Sequence, residues 1–117
     1  MTADERIKLL EKAREAGKMV EAEIESRNAR DINPFRQRQR EPALQRARAV
    51  ISDCDRAIRD LQATQTAVVL SADVLARLNE LEASLDSAIA SNGFANLAVS
   101  VLARVVERAR EVQTSLA

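Results

Sequence analysis

Cys54 is the only thiol in the chain, and carboxylates and lysines are the only other candidate acid–base groups, because histidine and tyrosine are absent. Without imidazole there is no Ser–His or Cys–His pair, no histidine metal ligand, and no side chain that ordinarily titrates near neutral pH. Cys54 falls at helical spacing between Ile51 and Ile58, where a free cysteine packs as a small hydrophobe. The charges of Asp53 and Asp55 beside it oppose thiolate formation.

Carboxylate metal centres in helical bundles need inward glutamates with a histidine three residues on. Glu21, Glu25, Glu80 and Glu82 lie mostly off the apolar stripes and read as solvated faces. Gly17 and Gly93 are the only glycines, so no glycine-rich phosphate loop can be built. The expectation is a protein that is not an enzyme, with no catalytic residue, no metal site, no cofactor and no small-molecule substrate.

Arginine is the remaining functional side chain. From Arg27 to Arg48 the chain carries Arg27, Arg30, Arg36, Arg38, Arg40, Arg46 and Arg48 against Asp31 and Glu41, inside a protein whose 18 basic and 18 acidic residues cancel. The planar guanidinium fork pairs bidentately with carboxylate or phosphate and is less strongly hydrated than an ammonium. Arg36, Arg38, Arg40, Arg46 and Arg48 are therefore the candidate partner-binding residues, suited to an acidic protein surface or, alternatively, to nucleic-acid phosphates. The competing reading is that they solvate a loop and a helix start, or pair with the chain's own acidic faces. Extended backbone would put Arg36, Arg38 and Arg40 on one side, whereas a helix would turn Arg38 away from the other two.

These side chains must be held by helices. Apolar residues make up 46% of the 117 and charged residues 31%, with Ala, Leu, Glu and Arg dominant and only two Phe and no Trp. That is a helix-forming composition in the globular range, without the aromatic and β-branched enrichment of strands.

Thr2 and Glu5 have capping-box spacing at a first helix, whose stripe is Leu9 or Leu10, Ala13, Ala16 or Gly17, Val20 and Ile24. Asn33 before Pro34 suits a short helical turn. Pro42 in a helix running from there would remove the bond to Arg38 at about 3 kcal/mol or more, so the second helix is expected to start near Pro42. Its seam of Leu44, Ala47, Ile51, Cys54, Ile58 and Leu61 keeps a heptad period. Gln65 breaks that seam, and Thr66 to Leu70 reads as a buried connector.

Ser71 caps a third helix with the stripe Val74, Leu78, Leu81, Leu85, Ala88 and Ile89, which Asn92 and Gly93 end. A fourth helix buries Leu97, Ala98, Val101, Leu102, Val105, Ala109 and Val112 and exposes Ser100, Arg104, Glu107, Arg108 and Glu111. The predicted fold class is all-α, a four-helix bundle of two consecutive antiparallel helical hairpins. It forms a single domain over 1–117, with helices at about 3–28, 42–65, 72–91 and 95–115 and a basic connection at 29–41.

The wide apolar arc of the fourth helix and the seam of the second suggest a homodimer. A protein partner is favoured over nucleic acid, since net charge is zero and stacking aromatics are missing. The lone cysteine and the charged start of the chain point to the cytoplasm, with no signal peptide. The longest uncharged stretch, Ser87 to Ala103, is short for a membrane span and interrupted by Asn92, Gly93 and Asn96, so no membrane partner is expected. The arginine-rich, lysine-poor composition resembles that of bacterial or phage accessory proteins.

Overall fold

The computed structural model describes residues 1–64, 69–90 and 98–116, apart from the side chains of 88–90. Helix α1 spans Ala3–Arg30, α2 Pro34–Thr64, α3 Ala72–Ala90 and α4 Val99–Leu116. At a 1.5 Å rise the 31 residues of α2 measure about 46 Å. The long axis of the molecule is 48 Å, so α2 runs its whole length.

Local chemistry sets the helix starts. The Thr2 hydroxyl accepts from the Glu5 N–H at 3.2 Å, Asn33 Oδ1 accepts from Phe35 N–H at 3.0 Å and Arg36 N–H at 3.3 Å, and Ser71 Oγ accepts from Val74 N–H at 3.3 Å. Each side chain satisfies donors that a first helical turn leaves without a partner.

Asn33 begins the second helix itself, which corrects the expected basic connection at 29–41 and the expected start near Pro42. Only residues 31–33 separate α1 from α2, and Pro42 lies inside α2 on its exposed face. The helix survives because proline removes one backbone bond at a solvent-facing position, while the turns before it are tied to α1. Gln37 Nε2 donates to the carbonyls of Asn28 and Asp31, both at 3.1 Å, covering acceptors that the end of α1 cannot satisfy within itself.

The α1 stripe is buried as its spacing predicts: Leu9, Leu10, Ala13, Ala16, Gly17, Val20 and Ile24. In α2, Ala43, Leu44, Ala47, Val50, Cys54, Ile58 and Leu61 are buried, with Ile51 half-buried at the edge of the seam. Small residues let these two helices approach closely. A Cβ on Gly17 would stand 3.2 Å from both the Ala47 carbonyl oxygen and Ile51 Cγ1.

Cross-helix bonds link Asn28 to Arg40, Glu25 and Glu21 to Arg48, and Arg14 to Asp55, so α2 runs back along α1. Helix α4 packs on α1, α2 and α3, while α3 touches α1 and α4; among the described residues α2 and α3 do not meet. The result is a bundle of four helices in which α1 and α4 share the centre and α4 belongs as much to α1 and α2 as to α3.

That position accounts for the wide apolar arc of α4. Leu102, Val105, Val106, Ala109, Val112 and Leu116 are buried, and the sequence reading missed Val106 and Leu116. Ala98, expected in the core, is exposed, and Val101 and Glu111 are half-buried. In α3, Leu78, Leu81 and Leu85 enter the core and Val74 packs against it. Where the expected buried connector is described, Val69 is fully exposed and Leu70 half-buried, which corrects that expectation. The expected helix end at Gln65, the rest of the connector, the burial of Ala88, Ile89 and Leu97, the Asn92–Gly93 cap and the start at Ala95 lie outside the described residues. No helix among the described residues is long and apolar enough to cross a membrane.

Candidate functional site

Where α1 ends and α2 begins, the chain forms a tip whose frame is built from side-chain bonds. Arg40 is only 8% exposed. Its Nη1 donates to Asn28 Oδ1 at 2.9 Å and its Nη2 to Asp31 Oδ2 at 2.8 Å. Arg36 Nη1 reaches the same Asp31 oxygen at 3.3 Å. Asp31 is thereby held below the usual carboxylate range, first by the Arg40 hydrogen bond, then by the Asn33 backbone N–H and by Arg36.

The five candidate arginines therefore separate. Arg40 positions the frame from inside it. Farther along α2, Arg46 Nη1 donates to Glu107 Oε2 of α4 at 2.7 Å, and Arg48 pairs with Glu21 and Glu25 of α1, each at 3.1 Å. Those two carboxylates, Glu25 before Glu21, raise the Arg48 pKa further. Arg38 is exposed and makes no ion pair or hydrogen bond among the described residues. Because the segment is helical, Arg36, Arg38 and Arg40 do not form one patch, and of these three Arg36 and Arg38 present guanidiniums at the tip surface.

Two residues outside the sequence-based set stand out on the same tip. Ile32 is 83% exposed and Phe35 67% exposed; among the described residues Val69 is the only other large hydrophobe so placed. A signal for them exists in the sequence. Both are apolar residues off every periodic stripe, set among Asp31, Asn33, Pro34 and Arg36, and Phe35 is one of only two phenylalanines. The tip can thus offer an apolar anchor beside guanidinium donors, on a backbone fixed by Asn33, Gln37 and Arg40.

Acid–base chemistry finds no support in Cys54, which is fully buried. Burial, with Asp53 and Asp55 adding to it and Arg14 opposing, pushes its thiol up to about 12. No family model matches the chain, and neither a curated protein nor a solved structure matches it.

Proposed function

We propose that this protein is a non-catalytic assembly or binding component that engages another protein through the α1–α2 tip. The observation that carries this reading is the exposure of Ile32 and Phe35 on a frame already ordered by the Asn28, Asp31, Gln37 and Arg40 bonds. An aromatic anchor held in place before binding loses little conformational freedom on docking. Arginine beside such an anchor suits the rim of a protein interface. In this reading Ile32 and Phe35 enter an apolar recess on the partner, Arg38 and Arg36 meet acidic groups at its edge, and Arg40, Arg46 and Arg48 keep the presenting helix in place.

Nucleic acid is the weaker reading. Arg40, Arg46 and Arg48 already face the chain's own carboxylates, so phosphate binding would have to break those pairs. A homodimer would use the same tip, since the arc of α4 that suggested self-association is covered by α1, α2 and α3. The unpaired Cys54 thiol suits a reducing compartment, and the cytoplasm is the proposed location.

The test is a photo-crosslinking residue at exposed Gln39, used in extracts of the source cell with the wild type and with an Ile32→Ala, Phe35→Ala double variant. Both side chains are exposed, so the variant should keep its stability to within about 0.5 kcal/mol. The expected outcome is a discrete protein adduct lost in the double variant. An adduct with a second copy of the chain would make the tip a dimer interface, a nuclease-sensitive adduct would favour the phosphate reading, and equal adducts from both proteins would refute the tip.

A further inference from the structure

At the end of the bundle opposite the tip, the start of α1 and the ends of α2 and α4 line an open cleft of about 490 Å³. Its floor is apolar, with Leu61 and Leu116 buried and Ala57 half-buried. Arg6 and Arg56 line it together with Asp53 and Asp60, and none of these four forms an ion pair among the described residues. Arg6 Nη2 donates to the Leu116 carbonyl oxygen at 2.6 Å, which fixes the guanidinium against the end of α4. Its Nε is buried and has no hydrogen-bond acceptor, alone in this respect among the buried side-chain nitrogens and oxygens of the described residues.

That nitrogen is itself shielded from the cleft, so what the cleft offers a ligand is the rest of the Arg6 guanidinium with Arg56, beside Asp53 and Asp60. A simple anion would satisfy the guanidiniums but stand beside two carboxylates, and a simple cation would do the reverse. We infer that the cleft binds a small zwitterion with an apolar body, an α-amino acid with an aliphatic side chain. Its carboxylate accepts from Arg6 and Arg56, its ammonium donates to Asp53 or Asp60, and its side chain lies on Leu61 and Leu116. Asp53, Arg56 and Asp60 follow one another at steps of three and four on α2 and so share a face, placing both signs of charge where the adjacent charged groups of one amino acid can meet them. The cleft volume falls in the range of small-molecule sites, about 300–1,000 Å³.

This site is independent of the tip and is tested without it. In the full chain the Arg6 Nε–H reports changes around the guanidinium, observed by proton–nitrogen correlation spectroscopy during titration with L-leucine. The controls are 4-methylpentanoate, which lacks the ammonium, and isoamylamine, which lacks the carboxylate. The expected result is a saturable shift of the Arg6 signal with L-leucine. Binding should weaken about tenfold or more in Arg56→Ala, as loss of a charged hydrogen bond implies, and weaken likewise with either control. Asp53→Asn with Asp60→Asn should equalise L-leucine and 4-methylpentanoate. Absence of a saturable shift at millimolar L-leucine would overturn the inference, as would an unchanged affinity in a folded Arg56→Ala variant or wild-type binding of either control as tight as that of L-leucine.

Discussion

The two ends of this bundle are both rich in arginine, yet they use it differently. At the tip, Arg36 and Arg40 converge on Asp31, and farther along α2 Arg46 and Arg48 close on Glu107, Glu21 and Glu25. At the opposite end Arg6 bonds a single backbone carbonyl, and Arg56 lies between Asp53 and Asp60 without closing an ion pair with either. Density of arginine along the sequence therefore does not measure free positive charge. The most arginine-rich stretch is largely neutralised by its own fold, and a less conspicuous pair is the one left with donors to offer.

The largest effect that separates the two ends is expected from Arg40→Ala set beside Arg56→Ala. Removing Arg40 deletes two charge-assisted bonds at a buried position and should cost about 2 kcal/mol, read from urea denaturation. Arg56 is exposed, and its removal should stay within about 0.5 kcal/mol. Equal costs would mean that the tip bonds add nothing to its order.

A pH series sharpens the same contrast. The Asp31 pKa is depressed in the folded state, so its contribution is fully present above the unfolded carboxylate value and is lost as pH falls through the lower folded value. Wild-type stability should therefore drop more steeply than that of Asp31→Asn below about pH 4. Parallel curves would show that Arg40 and the Asn33 N–H do not hold the carboxylate in solution.

Among the paired arginines the smaller effect is expected at Arg48, whose partners are partly exposed. Arg48→Ala should lower the urea midpoint far less than Arg40→Ala does, and less still at high salt. A loss as large as that from Arg40→Ala would put the α1–α2 register under the control of surface charge instead of the close packing at Gly17.

The Cys54 packing role and the α1 stripe were legible from spacing, because a periodic apolar face must be buried whichever helix covers it. Caps at Thr2 and Ser71 were legible for a similar reason, since a cap acts within its own first turn. The α2 start was not. Pro42 carries a local penalty that any sequence reading weighs, whereas the bonds offsetting it join Asn28 and Asp31 of one helix to Gln37 and Arg40 of the next. Charge pairing lies still further from local reading, as Arg46 meets Glu107 across 61 positions. The sequence by itself determined that helices form, which faces they bury and that histidine-dependent chemistry is absent. Tertiary structure alone decided which arginines are neutralised, that Ile32 and Phe35 are displayed, and that Arg6 keeps a buried donor without an acceptor. Those outcomes depend on distances between separate helices, which no local spacing encodes.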